Sequence, residues 1–305
     1  MTPRFETAGP GDISGARRWL MAVRPRTLPT AVAPVVVGTA AAAADGCFHA
    51  LPALAALAGA LLLQIGVNLA NDYFDFVKGV DTAERVGPVR VTQSGLITAG
   101  KVRMAMMASL AAAILVGVYL ITVGGVPILL VGAAAVAAAL AYSGGPFPLA
   151  SHALGDFFVF IFYGPVAVGG TYYVQAFDWT HRVGLLAAMI GLLITAVLVV
   201  NNLRDIATDR KAGKHTLAVL LGPEGTQMEY RLLIGGAYGL SVAGWSVGWL
   251  SPWGLLPAVA LPMALRLFRV VQAETPPPTL NQALAATAVH ALMFAALLAV
   301  GVLMS

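Results

Sequence analysis

The sequence predicts an all-α integral membrane protein with nine transmembrane helices. Of its 305 residues, 59% are hydrophobic and only 10% are charged, and the mean hydropathy is +0.82. Soluble domains carry about 25% charged residues. Apolar windows long enough to cross a bilayer recur along the chain. They span 28–45, 51–75, 103–123, 126–143, 154–175, 184–203, 229–249, 252–271 and 283–304.

The basic residues indicate how these windows are oriented. With nine spans and the N-terminus inside, 17 of the 18 Lys and Arg residues fall on one side, and only Arg182 falls on the other. This is the positive-inside pattern of a bacterial inner or plasma membrane, and it places the N-terminus and the long polar loops in the cytoplasm. Because the basic residues follow the membrane topology, the net charge of +4 does not predict binding to nucleic acid.

The chain begins with a polar tail, 1–23, and continues as one polytopic domain, 24–305. Segment 13–23 of the tail predicts a short amphipathic helix in the headgroup layer, with a plain linker as the alternative. The domain divides into a first half, a second half and an extra helix, at about 24–150, 151–271 and 281–305.

The second predicted span ends in an unusually polar stretch, QIGVNLANDYFDFVKGVD, from Gln64 to Asp81. In a helix, a rotation of about 100° per residue places Asn68, Asp72 and Asp75 within roughly 60° of one another. Neighbouring carboxylates resist ionising together unless a cation holds them, and hard oxygen ligands suit Mg²⁺. The stretch therefore predicts a metal site. The alternative is a set of caps on a helix that emerges into water.

The loop after this span, KGVDTAERVGPVRVTQSGLITAGKVR, is the longest polar segment of the chain. It brings Lys78, Arg85 and Arg90 close in sequence to the carboxylates. Cations and metal-binding anions on one rim are expected where a diphosphate binds, since its charge needs both kinds of partner. Salt bridges within the loop, together with the positive-inside bias, are the alternative for each basic residue.

A second cluster ends the sixth predicted span, in VVNNLRDIATDRKAGKHTLAV. Asn201, Asp205 and Asp209 are four residues apart and cover about 80° of a helix face, and Lys214 follows closely. The spacing from amide to carboxylate repeats that of the first cluster, 133 residues earlier in the chain. The matched pair predicts two four-helix pseudo-repeats that face each other across a central cavity.

Two further residues are open to two interpretations each. Arg24, at the start of span one, either anchors to lipid phosphate or reaches into a site, and its position favours anchoring. Tyr142, in the segment YSGGP after span four, is either an interface anchor or a site residue.

These residues resemble a known family. The two clusters are similar to the paired aspartate-rich motifs of the UbiA superfamily of intramembrane aromatic prenyltransferases. Within it, four segments are similar to the MenA type, which prenylates 1,4-dihydroxy-2-naphthoate in menaquinone synthesis: NLANDYFDFVKGVDT, GPVRVTQSGLI, YSGGP and GDFFVFIFYGPVAVGGTYYVQ. The likeness extends from about Arg24 to Leu221, and the remainder matches mainly in hydropathy.

The resemblance implies a nine-helix bundle whose cavity opens sideways to the bilayer and binds Mg²⁺ with a polyprenyl diphosphate. By position, the residues that hold metal and diphosphate would be Asn68, Asp72, Asp75, Asp205 and Asp209. Further substrate contacts would come from Lys78, Arg85, Arg90, Lys214, Asn201 and Gln64, with Tyr142 near the reacting carbon and Arg24 near the naphthoate carboxylate. Many relatives have an acidic residue where this chain has Gly79, so Asp81 is placed outside the metal-binding set.

The implied activity is Mg-dependent transfer of a polyprenyl group to 1,4-dihydroxy-2-naphthoate with loss of CO₂, which gives demethylmenaquinol. The expected partners are the two substrates and the lipid bilayer. One alternative is the same chemistry on another acceptor, such as 4-hydroxybenzoate or homogentisate. Another is an ion-coupled transporter, which the position of the clusters at the membrane edge, and not at its midplane, argues against.

Overall fold

The computed structural model describes residues 13–79, 87 and 89–305, and all regular elements in these ranges are helical. The α-helices are α1 (Gly15–Val23), α2 (Pro29–Ala44), α3 (Ala50–Val77), α4 (Ala99–Ala141), α5 (Gly155–Ile161), α6 (Gly170–Ala176), α7 (His181–Lys211), α8 (Leu217–Ser246), α9 (Leu261–Val270) and α10 (Pro277–Leu303). A π-helix, Phe162–Gly169, joins α5 to α6, and 3-10 turns lie at Pro25–Thr27, Leu149–Ser151 and Pro252–Ala260. The predicted all-α class is confirmed.

The outer surface of the bundle is apolar. Large side chains such as Leu115, Met104 and Leu130 are 65–73% exposed. A soluble protein rarely exposes so much apolar surface, whereas a bilayer requires it. Six described helices are long and apolar enough to cross a membrane: Ala50–Val77, Ala99–Ala141, Gly155–Ala176, His181–Lys211, Pro252–Val270 and Pro277–Leu303. The protein is therefore an integral membrane protein.

The predicted number of nine spans is not confirmed in the described part of the chain. A seventh span is added only if Gly15–Thr27 and Pro29–Ala44, which are bent by 49°, count as one. Two predicted windows overlap α4: 103–123 lies within it, and 126–143 extends past its last residue, Ala141. Gly125 interrupts this helix with φ 67° and ψ −151°. A non-glycine residue rarely adopts this conformation, and Pro127 cannot continue the hydrogen bonding of the preceding turn.

Two packing clusters flank the interior. One combines α2 with the π-helix, α7, α8, α9 and α10, and α7 is its most buried helix. The other combines α1, α3, α4 and the segment around Val91 and Ile97. Helix α2, although it comes early in the chain, thus packs with elements from the second half. The predicted division into two pseudo-repeats stays a prediction.

The end of the bundle at the α2–α3 connection carries its own polar contacts. Asp45 forms an ion pair of 2.5 Å with Arg182 and accepts a hydrogen bond of 2.8 Å from the Tyr172 hydroxyl. Arg182 is the basic residue predicted to lie apart from the others. Its carboxylate partner stabilises it at this end.

Gly164 allows the π-helix to pack directly against α7. A Cβ atom at this position would lie 2.6 Å from the carbonyl oxygen of Ala187 and 3.1 Å from the Gly191 Cα. We therefore expect Gly164→Ala to lower the free energy of unfolding by about 1–3 kcal/mol, observed as a lower melting temperature in detergent. Gly170→Ala is the matched control, because no atom lies within 4 Å of its added Cβ. Equal melting temperatures for the two variants would contradict the close packing.

Candidate active site

An elongated cavity of about 610 Å³ lies between α2, α3, α4, the α5–α6 segment and α7. Its polar end is formed by the last turns of α3 and α7 and by the chain that enters α2. Its other part is lined by small and aliphatic residues, among them Gly59, Ala60, Gly117, Ile121 and Gly132. At 1.5 Å per residue, Gly59 lies about 24 Å along α3 from Asp75. The cavity therefore has a polar end and an apolar arm.

Helix α3 presents one polar stripe to the cavity. The stripe consists of Gln64, Asn68, Asn71, Asp75 and Lys78, which are spaced four, three, four and three residues apart. This spacing confines them to about 80° of the helix surface. Asn71 is the member that the sequence interpretation missed. Its position three residues after Asn68 and four before Asp75 was the signal that could have found it.

Asp72 lies outside this stripe and does not line the cavity. It is 1% exposed, and its two carboxylate oxygens accept hydrogen bonds from the backbone N–H groups of Val91 (3.1 Å) and Thr92 (3.0 Å). A carboxylate is well suited to this role because both of its oxygens accept and neither donates. The geometry therefore makes Asp72 an anchor for the loop, and its predicted contact with metal stays a prediction.

The anchored loop carries Arg90 to the cavity wall. Nη2 of Arg90 lies 2.5 Å from Oδ2 of Asp75, and the two side chains are only 5% and 11% exposed. Such a charge-assisted contact is stronger than a neutral hydrogen bond. Arg90 and Asp75 thus reach the site as a buried ion pair. Arg85 and Asp81, which were predicted beside them, lie outside the described residues.

Lys78 joins the end of α3 to the loop after α4. Its Nζ donates hydrogen bonds to the carbonyl oxygens of Ser143 (2.8 Å) and Gly145 (3.0 Å). The Ser143 hydroxyl donates to Oδ1 of Asn71 at 2.6 Å. Burial lowers the pKa of the Lys78 ammonium, and the charge of Lys214 acts in the same direction while Asp75 opposes it. Lys78 and Lys214 both line the cavity.

On α7, Arg204 organises the second cluster. It is 4% exposed and donates to both oxygens of Asp205, through Nε at 2.8 Å and Nη2 at 2.5 Å. The same guanidinium donates to the side-chain oxygens of Asn201 and Asn281, each at 2.8 Å. The sequence interpretation had assigned no role to Arg204. Its four hydrogen bonds hold Asp205 and Asn201 in fixed orientations.

Asp205, Asp209 and Lys214 all line the cavity, as does Asn202. Asp209 is held more loosely than Asp205, because the distance from its Oδ1 to Nζ of Lys214 is 3.4 Å. Asn202 was missed by the sequence interpretation, although it precedes Asp205 by three residues and Asp209 by seven. That spacing is typical of one helix face.

Tyr142 and Arg24 also line the cavity. Burial raises the pKa of the Tyr142 phenol, and the charges of Asp156, Asp75 and Asp209 raise it further. The phenol therefore stays protonated at neutral pH and lies near both acidic clusters. Arg24 ends α1 in a left-handed conformation with φ 56°. Its place on the cavity wall differs from the lipid anchoring that its sequence position favoured.

The structure thus brings the two acidic clusters to one cavity, as the spacing predicted. Among the residues it describes, no group of three His, Cys, Asp or Glu side chains is arranged to hold a metal ion. The oxygen ligands on the cavity wall are instead a mixture of carboxylates and amides.

Residues 31–298 match the UbiA prenyltransferase family. The chain belongs to this family. Over 258 residues it is 47% identical to the 1,4-dihydroxy-2-naphthoate octaprenyltransferase of Mycobacterium tuberculosis, which covers 82% of this chain and 84% of that protein. Over 301 residues it is 39% identical to the protein of the same name from Escherichia coli, with 96% and 97% covered. The UbiA resemblance is therefore confirmed, and both relatives carry the name of the predicted branch.

The fold of the UbiA family is also present. A UbiA homolog from Archaeoglobus fulgidus bound to GPP and Mg²⁺ superimposes with a TM-score of 0.65 over 94% of this chain and 100% of that chain. The sequence identity is 16%. The likeness at this identity concerns the arrangement of the helices.

Proposed function

We propose that this UbiA-family protein transfers a polyprenyl group from a polyprenyl diphosphate to 1,4-dihydroxy-2-naphthoate, with loss of CO₂, to give demethylmenaquinol. The observation that carries the proposal is the polarity of the cavity. Three carboxylates and four cations line one end: Asp75, Asp205, Asp209, Arg24, Lys78, Arg90 and Lys214. The apolar arm begins next to them, so the cavity has the polarity of a diphosphate that carries a long hydrocarbon tail. The choice of acceptor is supported by the names of the relatives.

Mg²⁺ is the proposed cofactor. Carboxylate and amide oxygens are its preferred protein ligands, and Asn71, Asp75, Asn202, Asp205 and Asp209 supply such oxygens on the cavity wall. The donor set therefore fits the ion. The A. fulgidus homolog is bound to GPP and Mg²⁺, which agrees with this assignment. When bound, the ion supplies positive charge to the diphosphate oxygens.

The basic side chains of the cavity also stabilise the negative charge of the leaving diphosphate. Arg90, Lys78 and Lys214 point fixed positive charge at the place where the diphosphate develops negative charge as the allylic C–O bond breaks. Asp75 holds the Arg90 guanidinium at 2.5 Å, so the guanidinium needs little reorganisation when the substrate binds. Donors that are oriented in advance stabilise a transition state more than they stabilise the substrate.

The reaction balances without a covalent enzyme intermediate. The allylic C–O bond breaks with its electron pair on the diphosphate, and the ring carbon that bears the carboxylate forms the new C–C bond to the prenyl carbon. The bond to the carboxylate then breaks, its electron pair restores the aromatic ring, and CO₂ leaves. No proton has to be removed from that ring carbon. The apolar arm holds the tail and excludes water, which would capture the prenyl cation.

The membrane is proposed to be a bacterial inner or plasma membrane, with the N-terminus and the polar end of the cavity on the cytoplasmic side. The positive-inside distribution supports this orientation.

The acceptor assignment is tested with purified protein, Mg²⁺ and a polyprenyl diphosphate. 1,4-Dihydroxy-2-naphthoate, 4-hydroxybenzoate and homogentisate compete in one reaction, and the carboxyl carbon of the naphthoate is labelled. We expect the prenylated naphthalene to dominate and labelled CO₂ to appear in equal amount. Preferential prenylation of either other acceptor, or no turnover of the naphthoate, contradicts the proposal.

A further inference from the structure

A polar network crosses the cavity wall about three helical turns from Asp75, in a region that a hydrocarbon tail cannot satisfy. Its centre is the Gln64 side chain, which is 7% exposed. The Gln64 carbonyl oxygen accepts a hydrogen bond from the Tyr163 hydroxyl and lies 3.5 Å from the Thr30 hydroxyl. Its amide nitrogen lies 3.4 Å from Oδ1 of Asn68. Three different elements thus converge on one amide.

Tyr163 reaches this network because it belongs to the π-helix. Pro165 lies inside that helix and cannot donate a backbone hydrogen bond, so the regular α pattern cannot pass through this turn. The neighbouring Gly164 packs against α7, while Tyr163 lines the cavity. Single π turns within helices are frequent at functional sites because they redirect side chains. Here the redirected side chain is a phenol.

The network is oriented as a binding surface. The Asn68 amide is fixed by hydrogen bonds to the Val23 carbonyl (2.8 Å) and the Thr27 hydroxyl (3.0 Å). Because the Gln64 amide nitrogen faces Oδ1 of Asn68, the Gln64 carbonyl oxygen faces the Tyr163 hydroxyl. A phenol that donates one hydrogen bond also accepts up to two. The Tyr163 oxygen can therefore accept a hydrogen bond from a ligand in the cavity.

The surroundings of Tyr163 match a flat, polar, anionic ring. Tyr142 lines the same cavity as Tyr163, so a second phenol faces the space that the ligand would occupy. Arg24 lines the same cavity and can balance a carboxylate. Phe162 and Phe158, also on the wall, supply aromatic surface for stacking. Buried polar groups are costly in an apolar wall unless they have partners, and a polyprenyl tail offers none.

We propose that Tyr163, oriented by Gln64, binds a ring hydroxyl of the aromatic acceptor and so determines acceptor specificity. The inference rests on the proposed function and extends it, because it assigns the acceptor to the wall formed by α2, α3 and the π-helix. The ring hydroxyl donates a hydrogen bond to the Tyr163 oxygen. An acceptor that lacks this hydroxyl loses the contact.

The test removes the Tyr163 hydroxyl from the enzyme and, separately, each ring hydroxyl from the ligand. Tyr163→Phe is expected to raise the KM for 1,4-dihydroxy-2-naphthoate about tenfold, the value of one hydrogen bond of about 1.4 kcal/mol. The KM for the polyprenyl diphosphate should stay unchanged. Inhibition constants are then measured for 1-hydroxy-2-naphthoate and 4-hydroxy-2-naphthoate, each of which lacks one ring hydroxyl. We expect Tyr163→Phe to raise the inhibition constant of one analogue about tenfold and to leave that of the other unchanged.

Tyr172→Phe is the matched control, because the Tyr172 hydroxyl bonds to Asp45 and the residue does not line the cavity. This control should change neither KM. An equal loss of affinity for both analogues, no change for the naphthoate, or a raised KM for the diphosphate overturns the inference. If the wild-type protein does not turn over the naphthoate at all, the proposed function fails instead, so the two failures are distinguishable.

Discussion

Asp209→Asn is expected to reduce prenyl transfer about a thousandfold while the protein remains folded. Of the three carboxylates on the cavity wall, Asp209 has the weakest partner, since Lys214 lies at 3.4 Å and is 20% exposed. Its neutralisation therefore leaves no deeply buried charge uncompensated. Asp205→Asn would leave the Arg204 guanidinium, whose side chain is 1% exposed, without its carboxylate. Removal of one partner from a buried pair destabilises a protein by about 3–5 kcal/mol.

The measurement is kcat with 1,4-dihydroxy-2-naphthoate and a polyprenyl diphosphate, together with the melting temperature in detergent. Glu224→Gln is the control, because Glu224 is an exposed acid that does not line the cavity. It removes the same charge and should leave kcat unchanged. If Asp209→Asn retains more than about a tenth of the activity, the second cluster does not take part in the reaction as proposed.

Asp72→Asn is expected to reduce activity about a hundredfold through the position of Arg90. The amide keeps one oxygen that can accept a hydrogen bond, but its NH₂ group faces the backbone N–H of Val91 or Thr92. One hydrogen bond is lost, and two donor groups then face each other. The loss of about 2–3 kcal/mol loosens the loop. Arg90, which directly precedes Val91, then loses its fixed contact with Asp75.

This result separates the loop anchor from the metal ligand that the sequence predicted. As a loop anchor, Asp72→Asn leaves the Mg²⁺ concentration for half-maximal activity unchanged, and Arg90→Ala adds little further loss in the double variant, because both substitutions act through one contact. If Asp72 is a metal ligand, Asp72→Asn raises the Mg²⁺ concentration for half-maximal activity. The losses of activity caused by Asp72→Asn and Arg90→Ala then multiply in the double variant. Asp178→Asn, an exposed carboxylate outside the cavity, serves as the control.

The acidic clusters could be predicted because their signal is local. The helical period places Asp205 and Asp209 on one face whatever surrounds them, and the hydropathy of each segment requires a membrane. The same period contained the signal for Asn71 and Asn202.

Other site residues carried no sequence signal. Gly164 and Pro165 indicate an irregular turn, but the direction in which Tyr163 points depends on where α7 lies. Arg204 bonds to Asn201 and Asp205 on its own helix, but its fourth oxygen partner belongs to Asn281 on α10, 77 residues later in the chain. Such contacts join residues that are far apart in the chain, and no periodicity encodes them.

By itself, the sequence determined the membrane class, the all-helical fold, the two acidic clusters and the family. Only the tertiary structure decided which face of each helix meets the cavity. In a soluble protein an apolar stripe reveals the buried face, but on α3 the lipid-facing Leu51 and Leu54 are 63% and 62% exposed. Because lipid and protein interior are both apolar, hydropathy does not fix the rotation of a membrane helix. Packing against α4 and the loop fixed it, and so turned Asp75 into the cavity and Asp72 toward Val91.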